Sequence, residues 1–214
     1  MSRGPDEAPG AEPRPHAVIV AGPNGAGKST LAPKLLAQEF GIRIYVNSDV
    51  IAQGLAGFDP ASAGIRAGRI MHERLEELRA ERASFAVEST ISGRSLQGVI
   101  RKLNEAGYFT LLVYLWLPYP DLAVERVGNR VRLGGHDVPE ADVRQRFYRS
   151  LANFRRLYSQ ITHEWRVYHA LRLLGEPGLR MIAHGVGDAA ATIVDEDAWL
   201  QIQKQVDAHS GDEG

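Results

Sequence analysis

Apolar residues along this chain fall into two alternating rhythms. Residues 16–21, 42–46, 84–88 and 109–117 read as strands, and the last, nearly all apolar or β-favouring, as a central strand buried on both faces. Between them, apolar positions recur every three or four residues, which predicts helices with one core-facing stripe. Leu31, Leu35 and Leu36 form such a stripe over 28–39. Ala67, Met71, Leu75 and Leu78 form one over 59–82, opposite a polar stripe of Arg66, Arg69, Glu73 and Glu76. Leu96, Val99, Ile100 and Leu103 form a third. The punctuation agrees: Asp59-Pro60 and Ser92 read as helix starts, and Gly107 reads as a stop. Pro118 and Pro120 end the longest strand. Residues 122–131 then read as a helix, 134–139 as a loop, and 140–162 as a long helix carrying Val143, Phe147, Leu151, Phe154, Tyr158 and Ile161 in register. Residues 165–168 and 179–183 read as further strands and 196–208 as a last helix. This alternation defines an α/β protein whose parallel sheet is covered by helices on both faces.

With 214 residues and 44% hydrophobic content, the chain supports one domain rather than two. Residues 1–15 hold four prolines and two glycines and offer almost nothing to bury, so they are expected to be a disordered tail, as are 209–214. The domain proper is expected over 16–208. No run reaches the roughly 20 apolar residues of a membrane span, and no basic-then-apolar leader opens the chain. A soluble, cytoplasmic protein is the expectation. The absence of cysteine removes disulfides, thiolate catalysis and zinc–cysteine sites. A net charge of −1 gives no global field for nucleic acid or anionic membrane, so neither is an expected partner.

The chemistry enters at Gly22-Pro23-Asn24-Gly25-Ala26-Gly27-Lys28-Ser29, followed by Thr30, which matches G-x-x-x-x-G-K-[ST] after a strand and before a helix. Glycines let the backbone turn its N–H groups onto phosphate oxygens, and the helix that follows adds the positive end of its dipole. Lys28 would reach the β- and γ-phosphates, and the Ser29 hydroxyl would hold Mg²⁺. ATP and Mg²⁺ are the expected ligands.

What kind of nucleotide protein this is depends on the rest of the chain. The D-x-x-G and N-K-x-D strings of switch GTPases are missing, as is the L-S-G-G-Q of transport ATPases. Asp195-Glu196-Asp197-Ala198 resembles a helicase box, yet it opens the last helix, where acids meet the dipole favourably. Asp49, in Asn47-Ser48-Asp49 after the second strand, falls where ligands sit in open parallel sheets. There it could take a proton from an attacking hydroxyl, or merely cap the next helix. Glu88, in Glu88-Ser89-Thr90 after the third strand, could bind substrate hydroxyls or a metal-bound water, or only orient its loop.

Between Arg126 and Arg156 stand eight arginines, no lysine and only three acids. Guanidinium forks bind phosphate bidentately and remain charged at any working pH. Arginines on two helices joined by Gly134-Gly135 predict a lid that closes over the nucleotide, with Arg130, Arg132 and Arg146 nearest the hinge. Arg149, Arg155 and Arg156 read as an ordinary solvated helix face. The seven histidines show no metal-binding spacing.

Together, AGPNGAGKST, YVNSDVIAQGL, AGRIMHERLEEL, FAVESTISGRSLQGVIRKLNEAGY and RVGNRVRLGGHDVPEADVRQRF resemble the zeta-toxin family of P-loop small-molecule kinases over about two thirds of the chain. The E-S-T in place of E-G-T aligns it with the shorter zeta-like proteins. The resemblance implies a three-layer P-loop kinase fold with an Arg-rich helical lid. It implies Asp49 as general base, Lys28, Arg130, Arg132 and Arg146 as the other catalytic residues, and Glu88, Thr90, Glu73 and Ser48 as acceptor-binding residues. It further implies ATP-dependent phosphorylation of a hydroxyl on a nucleotide sugar such as UDP-N-acetylglucosamine, and restraint by a small antitoxin protein. A metabolic or antibiotic-modifying kinase of the same fold, and a nucleotide-binding regulator without transfer chemistry, are the alternatives.

Overall fold

The computed structural model describes residues 14–36, 40–57, 60–135, 137–170, 179–187 and 189–208. The tails expected at 1–13 and 209–214, and the helix start expected at Asp59, lie outside those residues. Arg14 and Pro15, expected in the first tail, belong instead to the folded body. The Pro15 carbonyl accepts from the Phe109 amide at 2.9 Å, and the Arg14 guanidinium donates to the carbonyls of Gly107 and Tyr108 at 3.0 and 2.9 Å.

The sheet has seven strands: β1 (His16–Ala21), β2 (Ile44–Asn47), β3 (Phe85–Ser89), β4 (Phe109–Trp116), β5 (Glu164–His169), β6 (Met181–Val186) and β7 (Thr192–Ile193), in the spatial order β2-β3-β1-β4-β5-β6-β7. The first five run parallel. β6 runs antiparallel to β5 and β7 antiparallel to β6, so the parallel sheet expected from the alternation carries an antiparallel margin. The connection over 170–180 falls short of the dozen or more residues a parallel crossover takes, so the chain folds back on itself.

Helices α1 (Lys28–Leu35), α2 (Ser48–Leu55), α3 (Gly64–Ala80), α4 (Ser95–Glu105), α5 (Pro120–Arg132), α6 (Glu140–Asn153), α7 (Ser159–Ile161) and α8 (Glu196–Ala208) complete the fold. A tight 3₁₀ turn, Pro60–Ala63, leads into α3. Strand alternation sorts the core into two halves. On one face, Leu112, Tyr114 and Trp116 pack with Leu75 and Leu78 of α3, Ile100 of α4 and Trp199 of α8. On the other, Leu111, Val113 and Leu115 pack with Ala32 of α1, Ala123 of α5 and Phe147 of α6. Each large side chain buried this way contributes about 1.5–3 kcal/mol relative to exposure, so both faces are needed to hold the helical layers.

The long helix expected over 140–162 is interrupted by a π turn at Phe154–Tyr158. The extra residue keeps Phe154 and Tyr158 buried and lets the Tyr158 hydroxyl donate to the Gly93 carbonyl at 2.8 Å. Two side chains of α6 also reach the loop after β3: the Ser150 hydroxyl donates to the Thr90 carbonyl and Asn153 Nδ2 to the Ile91 carbonyl, at 2.5 and 2.8 Å. Ile91 sits at φ +48°, a left-handed conformation that costs a branched side chain energy and persists only where its surroundings enforce it.

Candidate active site

A cavity of about 390 Å³ opens at the carboxyl ends of β1, β2 and β3, where the sequence pattern places a ligand crevice. Its floor is the phosphate loop. Lys28 Nζ donates to the carbonyls of Gly22 and Pro23 at 2.8 and 2.9 Å, and the side chain is buried. Burial pushes the Lys28 pKa below the ordinary lysine value, against the opposing pull of the Glu88 and Asp49 carboxylates. Asn24 is also buried beside the cavity, and its carboxamide oxygen has no hydrogen-bond partner among the described residues.

Gly25 shows why this loop demands glycine. Its φ is +77°, and a Cβ there would lie 2.8 Å from the Ala123 carbonyl oxygen and 3.2 Å from Arg126 Cβ. Gly25→Ala is therefore expected to destabilise the protein by about 1–3 kcal/mol. At about 2–4 °C of Tm per kcal/mol for a chain this size, thermal unfolding reads that cost directly.

The parallel register sets Asn47 of β2 opposite Glu88 of β3, next to the phosphate-loop strand. Glu88 is buried, and donors surround its carboxylate. Ser29 Oγ lies 3.1 and 2.9 Å from its two oxygens, Asn47 Nδ2 donates to Oε2 at 2.9 Å, and the Tyr45 hydroxyl donates to the same oxygen. Burial, reinforced by the Glu88 charge, holds the Tyr45 phenol far above its usual pKa, so it remains a donor at any working pH. Glu88, expected among the acceptor-binding groups, thus bonds to Ser29, the serine expected to hold Mg²⁺. Ser29 and Glu88 offer hydroxyl and carboxylate oxygens, the hard donors Mg²⁺ prefers, so the residues present fit that ion.

Asp49 is not a helix cap. Asn47 caps α2, its Oδ1 accepting from the Asp49 amide at 2.8 Å. Asp49 occupies the first turn of α2, is exposed, and lines the cavity with Ser48 and Thr90. Thr90 Oγ1 lies 2.9 Å from Ser92 Oγ, so Ser92 is turned to the cavity loop instead of starting a helix, and α4 begins at Ser95 without a side-chain cap.

Arginines form the opposing wall. Arg126, Arg130 and Arg146 line the cavity, and Arg146 also lies 3.3 Å from Asp142. Gly135 packs so closely on Arg130 that a Cβ would come within 2.5 Å of its Cγ, which fixes the arginine stem beneath the lid turn. The structure does not bring Arg132 to the cavity. It is exposed and bonds to Asn129 on its own helix. Positions 130 and 132 are about 200° apart around a helix, so both cannot face one ligand. Arg126, four residues before Arg130, shares its face. It was not singled out in the sequence, although that spacing was the available signal. Its guanidinium ties the phosphate loop to the end of β5 through the carbonyls of Gly25 and Ala170, at 3.3 and 2.9 Å.

Glu73 is likewise absent from the cavity. It lies on the outer face of α3, along a separate groove with Glu76 and Lys102. Arg155 departs from the solvated face expected of it, because its guanidinium lies 4.6 Å over the Trp199 ring. His163 and His169 bond to Thr110 and Asp195. Asp195 also caps α8, accepting from the Ala198 amide at 3.2 Å. No helix among the described residues is long and apolar enough to cross a membrane.

A phosphate loop on a central strand, a carboxylate against its serine and a wall of helical arginines define a P-loop protein of the kinase-type α/β fold. The chain belongs to the AAA domain family, whose profile matches residues 18–157. A protein of Haemophilus influenzae is 30% identical over 131 residues, spanning 61% of this chain and 91% of that one. Among solved structures, a chain from the PezAT toxin–antitoxin system of Streptococcus pneumoniae shares the fold, with a TM-score of 0.59 and 12% identity over 94% of this chain and 89% of that one. A chain of the AvrRxo1-ORF1:-ORF2 complex with ATP gives 0.64 and 16%, over 88% of this chain and 63% of that one. A gluconokinase of Sinorhizobium meliloti gives 0.51 and 16%, over 94% and 100%. The zeta-toxin-like P-loop kinase fold implied by the motifs is the fold observed.

Proposed function

We propose that this protein transfers the terminal phosphoryl group of ATP to a hydroxyl of a small acceptor, and that the acceptor is a nucleotide sugar such as UDP-N-acetylglucosamine. The observation that carries the transfer reading is the exposed Asp49 carboxylate on the rim of the cavity that Lys28, Ser29 and Arg130 line. The main-chain amides of residues 25–30 and the Lys28 ammonium hold the phosphates, and the arginine wall offsets charge as it spreads onto the equatorial oxygens. Asp49 accepts the proton of the attacking hydroxyl. Ser48 and Thr90, beside it on the rim, orient the acceptor. Ser29, with Glu88 behind it, would hold Mg²⁺, which would supply positive charge against the phosphates. In this reading Arg132 and Glu73 take no part.

The nucleotide-sugar acceptor and an antitoxin partner rest on the motif resemblance and on the shared fold with the PezAT chain, a component of a toxin–antitoxin system. A cytoplasmic location follows from the same reading. Acceptor-dependent ADP release across nucleotide sugars, gluconate-like polyols and aminoglycoside-like alcohols tests the assignment. Turnover with UDP-N-acetylglucosamine is the expected result. Turnover only with a non-nucleotide alcohol would replace it with a metabolic or antibiotic-modifying kinase.

A further inference from the structure

Glu88 is a buried carboxylate near the carboxyl end of an interior strand, and several donors converge on it. The Ser29 hydroxyl meets both of its oxygens, and Asn47 Nδ2 and the Tyr45 hydroxyl converge on Oε2 alone. The parallel register fixes Asn47 directly opposite Glu88. Tyr45 is two residues back along β2, so its ring leaves the strand on the same side as Asn47. The ring also packs against the core half that holds Ile42 and Ala86, which leaves the hydroxyl as the one polar end of an otherwise anchored side chain. Two donors on Oε2 restrict rotation of the carboxylate about its last bond and keep it turned toward Ser29 Oγ.

From this geometry we infer that Tyr45 is a positioning residue for the metal site: through Oε2 it holds Glu88 against Ser29, so that serine hydroxyl and carboxylate meet a divalent cation as one preset pair. The inference rests on the metal role given above to Ser29 and Glu88. Tyr45 itself is not among the residues that line the cavity. Partners of this outer kind set ligand orientation, and their loss typically weakens metal affinity by about 10- to 100-fold.

The test is Mn²⁺ binding to the full-length protein with ADP, followed by electron paramagnetic resonance, which needs neither an acceptor nor turnover. Tyr45→Phe keeps the packed ring and removes only the hydroxyl. It is expected to weaken Mn²⁺ binding to the protein–ADP complex about tenfold, at the lower end of that range. In a Glu88→Gln background the same substitution is expected to change nothing further, because two residues acting through one carboxylate do not add. A purely structural tyrosine would give equal losses in both backgrounds, and that result overturns the inference. So does a Tyr45→Phe protein that binds Mn²⁺ within twofold of the wild type, in which case Ser29 and Glu88 retain their metal role. If the wild-type protein holds Mn²⁺ no more tightly than ADP alone does, the metal role and the inference fall together, while the phosphate-loop assignment, read from ADP binding, stands.

Discussion

Asp49→Asn is expected to lower kcat by about 10²–10⁴-fold while ATP still binds, the loss typical of removing a positioned base. The substitution is nearly isosteric, and the Asp49 contact on which α2 depends is made by its backbone amide to Asn47, which is untouched. Folding should therefore be preserved, and the loss can be assigned to the carboxylate. Steady-state ADP release at saturating acceptor measures kcat, and calorimetry with a non-hydrolysable ATP analogue measures binding. An Asp49→Asn protein with unchanged turnover would remove the general base from the proposal. If, in addition, Lys28→Ala abolished nucleotide binding, the protein would be a nucleotide-binding regulator.

Lys28→Ala carries the other large effect. The ammonium is buried against the carbonyls of Gly22 and Pro23 and feels the charges of the Glu88 and Asp49 carboxylates, away from bulk water, where a single charge acts strongly. Its loss is expected to cost about 10²–10³-fold in turnover, or about 2.7–4 kcal/mol of transition-state stabilisation, the range for removing one preorganised donor from an oxyanion site. Nucleotide affinity is expected to fall as well, because the same ammonium meets the phosphates in the ground state. Isothermal titration with ATP and single-turnover transfer separate the two losses. Tight ATP binding by Lys28→Ala would show that the loop amides alone carry the phosphates.

Much of this was legible in the chain because local chemistry dictates it. G-x-x-x-x-G-K-S has few backbone solutions, and the apolar run 109–117 can only be an interior strand. The stripe Val143, Phe147, Leu151 and Phe154 fixed the core face of the long helix. What escaped depended on contacts distant in sequence. Glu88 serves Ser29 because β3 lies beside β1, and Tyr45 joins them only once the register of β2 against β3 is set. Arg132 was chosen for its nearness to the hinge along the chain, whereas helix geometry selects by angle and brings in Arg126. The antiparallel course of β6 was hidden because strand periodicity carries no direction, and β7, two residues long, is too short to show a period. The π turn was hidden because an extra residue leaves the apolar stripe nearly intact.

The grip of α6 on the loop after β3 has a mechanical consequence. Ser150 and Asn153 of α6, with Tyr158 of the π turn that follows, grasp three carbonyls of the segment that bears Thr90, while Arg146 of α6 lines the cavity. In the proposed reaction, a shift of that helix toward bound nucleotide would carry the Thr90 segment with it and so gear recruitment of the second substrate to capture of the first. Under the proposed transfer reaction, such gearing would guard against spending ATP on water.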